Sequence, residues 1–102
     1  MWAFEAAERL TRVHTVHGVF DIDLSLSAIE ASIGRALARV HRNWLVNVAH
    51  IKELERDGET RVWVGDGMAK DGRGIHVPVA RDRAQPLRDM LVASAQGLRR
   101  GT

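Results

Sequence analysis

From Phe20 to Leu24 the chain reads FDIDL, three apolar residues separated by two aspartates. Successive side chains of an extended strand point to opposite faces, so Phe20, Ile22 and Leu24 share one side and Asp21 and Asp23 the other. A slip of one residue would turn both aspartates inward, so the pattern sets register as well as conformation. A chain carrying such segments is expected to fold as half-buried strands.

The same period recurs along the sequence. Trp2 and Phe4 alternate within MWAFEAA and are expected on one face. Leu10 to Thr15 and residues 19–24 read as the two arms of a hairpin that turns at His17-Gly18. ETRVWVG at 59–65 and GIHVPVA at 74–80 read as two more strands, joined by a loop of glycines and aspartates.

Two segments carry helical signals instead. Ser27-Ala28-Ile29-Glu30 has the S-x-x-E form of a capping box, Ile29 and Ile33 lie four apart, and Gly34 supplies a stop. From Asp82 onward, Leu87, Met90 and Leu91 have helical spacing, with Pro86 tolerated only in a first turn. The residues thus predict a single, mainly β domain over 1–102 with one short internal helix and one C-terminal helix.

Composition narrows the function classes. Hydrophobic residues make up 45% and charged residues 27%, which is ordinary for a globular domain and argues against disorder. No apolar run is long enough for a bilayer, and the N-terminus lacks the basic-then-apolar layout of a signal peptide, so a cytoplasmic protein without membrane contact is expected. Without cysteine there is no disulfide, thiolate zinc site or thiol nucleophile. The net charge is only +2, yet it is unevenly spread: −3 over residues 1–34, +3 over 35–56, −1 over 57–80 and +3 over 81–102. Two basic blocks that converge in the fold would present one anion-facing surface.

The first block contains RVHRNWLVNVAHI at 39–51, polar side chains set into an apolar strand pattern. Trp44, Val46 and Val48 alternate with Leu45, Asn47 and Ala49. Arg42 and Asn43 can meet phosphates or base edges, because Arg forks onto guanine and Asn pairs bidentately with adenine. The plain alternative is a solvated turn. His41 is expected to find a local partner, and Asn47 and Trp44 are expected to be structural, the Asn47 amide tying down nearby backbone. In the second block Arg81 and Arg83 flank the start of the last helix, where guanidiniums and helix N–H groups together suit phosphate, although Asp82 offers them an ion-pair partner.

Enzyme chemistry is not expected. There is no G-x-S-x-G, P-loop or dinucleotide fingerprint. His14 and His17 straddle a turn, a spacing that does not make a tetrahedral site with Asp21 and Asp23, so neither metal nor cofactor is expected.

Taken in order, FEAAERLTRVHT at 4–15, SLSAIEASI at 25–33, LARVHRNWLVNVAHI at 37–51 and VPVARDRA at 77–84 resemble the LytTR family. This is a mainly β DNA-binding domain found at the C-termini of many bacterial response regulators. The third segment is the most specific, with Leu37, Arg39, His41, Arg42, Trp44, Val46, Asn47 and Ile51 at the family's marked places. Asn43 stands where the family usually has serine, and the loop between 65 and 74 is longer than usual. The chain also begins at what resembles the family's third strand, which implies upstream strands and a regulatory domain before Met1.

The resemblance implies several small, mostly antiparallel sheets stacked in an elongated domain. It also implies loops, rather than a recognition helix, entering successive major grooves of promoter DNA at direct repeats, with the full-length protein a homodimer in a two-component system. Carried over by position, the DNA-facing segments are 8–12, with Arg9, Thr11 and Arg12; 41–43, with His41, Arg42 and Asn43; and 81–83, with Arg81 and Arg83. The alternative is a protein-interaction module that uses the same surface without DNA.

Overall fold

The computed structural model describes residues 1–67 and 72–100, with the side chains of Asp57 and 94–100 left aside. Among the described residues eight strands form two antiparallel sheets with two α-helices, in a body 42 × 31 × 29 Å across. The first sheet contains β1 (Ala3–Ala7), β2 (Leu10–Thr15), β3 (Gly18–Ile22), β4 (Leu37–His41) and β5 (Trp44–Asn47), in the order β3-β2-β1-β5-β4. The second contains β6 (Ile51–Asp57), β7 (Glu59–Gly65) and β8 (Gly74–Pro78), in that order. Helix α1 (Leu26–Ile33) packs on the first sheet, and α2 (Arg81–Arg100) leans on β4.

The two faces of the first sheet serve different cores. Phe4 and Leu45 are paired across β1 and β5 and meet Leu26, Ile29 and Leu37 beneath α1. On the opposite face Ala3 and Val46 join Val40, Val62, Val64, Val77 and Leu87 between the sheets. Period two therefore separates Leu45 from Val46, both fully buried, into two clusters. Each valine or leucine side chain removed from water there contributes about 1.5–3 kcal/mol.

Four local expectations are corrected. Trp2 and Phe4 do not share a face: Trp2 precedes β1, outside the pleat, and enters the inter-sheet core while Phe4 faces α1. Its backbone N–H donates to the His14 carbonyl (2.8 Å) and its Nε1 to Asp66 Oδ1 (3.1 Å). FDIDL is not dry on one side, for Phe20 is 52% exposed and Leu24 is exposed too, leaving Ile22 to pack towards α1. The reason is geometric: β3 is the sheet edge, and the eight-residue helix lies chiefly over β1 and β5, meeting only the end of β3 at Ile22.

The cap of α1 is Ser25, whose Oγ accepts from Ala28 N–H at 3.1 Å, rather than Ser27. Ile33 correspondingly lies exposed at the far end of the helix. Pro86 sits in the second turn of α2, because the helix begins at Arg81. The stretch 39–51 does contain the expected strand, β5, which follows the end of β4 and a two-residue turn at Arg42-Asn43 and gives way to a short 3-10 turn before β6.

At the β7–β8 connection Gly65 faces Gly74 across the ladder, so close that a Cβ on Gly74 would lie 2.5 Å from the Val64 carbonyl oxygen and 2.9 Å from the Trp63 ring. Part of the long loop between these strands, 68–71, lies outside the described residues.

Candidate nucleic-acid interface

The β4–β5 turn is held on both flanks by backbone bonds. The N–H of Ala6, near the end of β1, donates to the Asn43 carbonyl at 2.8 Å, which brings the β1–β2 turn alongside. The N–H of Ala80, just before α2, donates to the Val40 carbonyl at 2.8 Å, which brings the helix start against β4. Three segments distant in sequence thus form one rim, and each carries arginine.

Two clefts mark the junctions. One of about 330 Å³ is lined by Arg9, Arg39 and Arg42 together with Glu8 and Asp23. Another of about 360 Å³ is lined by His41 and Arg81 with Glu59, Thr60 and Pro78. Arg9, Arg42, Asn43, Arg81 and Arg83 are exposed. Glu8, in the β1–β2 turn, adopts a left-handed φ of 56°, which bends the chain sharply beside Arg9. Arg81 and Arg83 occupy the first turn of α2, where the helix dipole favours an anion although the Arg83 N–H already meets the Ala80 carbonyl at 2.9 Å.

The remaining sequence candidates divide by what their atoms touch. Arg12 lies outward on β2 beside Asp21, at 3.9 Å, both side chains more than half exposed. Such a pair contributes under about 1 kcal/mol and leaves the guanidinium available. His41 is half-buried, and its Nδ1 accepts from the Asn43 N–H at 3.1 Å, so the ring shapes the turn from inside.

Thr11 is only 3% exposed, and its hydroxyl donates to the Leu24 carbonyl, tying β2 to the segment that enters α1. Thr11 also lines the cleft shared by Arg9, Arg39 and Arg42. Asn47 Oδ1 accepts from Ala49 N–H (3.1 Å) and its Nδ2 donates to the Met1 carbonyl (2.9 Å), holding both the 3-10 turn and the N-terminus. Trp44 stacks on His14, ring centroids 5.2 Å apart, while His14 Nε2 lies 3.1 Å from Glu5 Oε1.

Sequence reasoning named Arg39 and Glu30 but gave neither a part in the site. The Arg39 guanidinium reaches the His41 carbonyl through Nε (3.0 Å), the Arg42 carbonyl through Nη2 (2.6 Å) and Glu30 Oε1 through Nη1 (3.0 Å). Glu30 had a local explanation as a capping residue, which hid its partner on β4.

Among the described residues no group of three His, Cys, Asp or Glu side chains is gathered as metal ligands would be, and no helix is long and apolar enough to cross a membrane. A comparison with curated proteins returns no match. The family model described as the LytTr DNA-binding domain matches residues 2–92, nearly the whole chain, and with the mainly β, two-sheet fold this places the protein in the LytTR DNA-binding domain family.

Proposed function

We propose that this domain binds double-stranded DNA in a sequence-dependent way, as the output domain of a bacterial transcriptional regulator acting in the cytoplasm. Arg42, Asn43 and Arg81 would read base edges in the major groove, with Arg9, Arg12 and Arg83 on phosphates. In the full-length protein two such domains would occupy direct repeats as a homodimer. The reading is carried by one observation: the bonds Ala6 N–H to Asn43 O and Ala80 N–H to Val40 O gather three arginine-bearing segments into a single rim. Guanidiniums on adjacent loops suit a polyanion whose charges repeat at short intervals, since phosphate contacts fix register and a few side chains then read bases.

The test is a fluorescence titration of labelled duplex at several salt concentrations. Binding in the micromolar range is expected at low salt for a single small module. Each phosphate neutralised adds about −0.9 to the slope of log K against log salt, so phosphate contacts from three arginines give a slope of about −3. Failure to bind any duplex at low ionic strength would sink the proposal and leave the rim as a protein-docking surface.

A further inference from the structure

We propose that Arg39 is a positioning residue for DNA recognition: its guanidinium contacts no base but locks the Arg42-Asn43 turn into one conformation, with α1 as its anchor through Glu30. The inference rests on the DNA-binding reading of the rim.

Three donors of one planar group meet three acceptors on two elements. Nε and Nη2 take consecutive carbonyls, His41 and Arg42, at the place where the β4–β5 register shifts between Arg39 and His41. A shifted ladder turns carbonyls away from their usual strand partners, and the guanidinium fork supplies donors in a fixed geometry. Nη1 closes on Glu30 Oε1, so its charge is met inside the domain. The Arg39 side chain is only 22% exposed, whereas Arg42 is exposed beside it. Arg39 is opposite Leu45 in the ladder, on the face that α1 covers, which is why it finds Glu30 rather than solvent.

Arg39 also lines both the cleft shared by Arg9 and Arg42 and a smaller one, of about 120 Å³, shared with Arg83 and Pro86. It therefore lies behind the rim at its centre. Fixing the turn spares the ordering cost that Arg42 and Asn43 would otherwise meet on binding. Base contacts demand that order, while attraction to phosphates tolerates its loss.

The experiment uses the whole domain and the variants Arg39→Lys and Arg39→Gln. Lysine keeps the charge, but its single ammonium cannot span the three acceptors. The probes are a duplex selected from a randomised pool by the parent domain and a scrambled duplex of the same composition. Amide hydrogen exchange is measured on the free proteins alongside.

For Arg39→Lys the selected-to-scrambled affinity ratio is expected to fall about tenfold, with the salt slope unchanged. The Asn43 amide is expected to exchange at least about tenfold faster, while the Leu45 and Val46 amides hold within about twofold. An unchanged ratio and unchanged Asn43 exchange overturn the proposal. So do equal losses on both duplexes for Arg39→Gln that lysine restores, since those mark a phosphate contact. Uniform acceleration of all three amides overturns it as well, since that marks a general loss of fold. If the parent binds no duplex, the function proposed above falls, and Asn43 exchange alone then decides whether Arg39 orders the turn.

Discussion

The backbone N–H of Ala80 donates to the carbonyl of Val40 across 2.8 Å, so the residues that follow each, Arg81 and His41, line the same cleft. One bond between a sheet strand and the approach to a helix thus sets the spacing of an imidazole and a guanidinium that lie far apart in the chain. The bond is made by main chain, so side-chain substitutions at Arg81 leave it in place.

Arg81→Ala is accordingly expected to leave the melting curve nearly unchanged. If Arg81 makes a bidentate base contact, the substitution costs about 1–3 kcal/mol on the selected duplex and relaxes preference at one base position. Titration against the selected and scrambled duplexes at one salt concentration checks this, and equal losses on both would make Arg81 a phosphate contact.

Asn47→Ala is expected to act on stability rather than on DNA. It removes the acceptor for Ala49 N–H and the donor to the Met1 carbonyl. The cost is about 1–2 kcal/mol, given the half-buried site. A chemical melt measures it; a parental melt combined with lost binding would place Asn47 on the rim instead.

Leu45→Ala and Phe20→Ala should differ sharply although both remove a large apolar side chain. Leu45 is fully buried under α1, and its truncation is expected to cost about 2–5 kcal/mol. Phe20 is half exposed on the sheet edge, so its truncation should cost under about 1 kcal/mol. Urea midpoints at unchanged m-value compare the two directly.

Gly74→Ala is expected to destabilise by about 1–3 kcal/mol, because the added methyl meets the Val64 carbonyl and the Trp63 ring. Gly58→Ala has open space around its Cβ and loses only the ease of a φ of +83°, so about 1 kcal/mol is expected. Thermal melts rank the two, and a change in tryptophan fluorescence should accompany the first.

Where a pattern is local, the sequence carried it. β2 and β7 fall on the residues read as strands, and the recognised segment 37–51 falls on the turn that builds the rim. β6 escaped notice because a register shift between Ile51 and Glu53 spaces Ile51 and Leu54 three apart, and charged residues fill the interval. Trp2 misled because alternation says nothing of a residue one step outside a strand. Ser27 and Glu30 satisfied a capping rule that Ser25 had already met, so the ion pair to Arg39 was invisible until β4 folded beneath α1. The clefts were equally out of reach, because their walls come from segments that no spacing rule connects.

That assembly has a consequence in time. The rim is closed by Ala6 with Asn43 and by Val40 with Ala80, partners far apart along the chain. During synthesis, which proceeds from the N-terminus, the first sheet can close once β5 has emerged, yet the cleft at His41 gains its arginine only when the chain has passed Arg81. Loop closures of that length are slow steps in folding. A partly made or C-terminally shortened chain would hold Arg9 and Arg42 in place without Arg81, attracting nucleic acid through charge while lacking one of its proposed readers, so discrimination would be the last property the protein acquires.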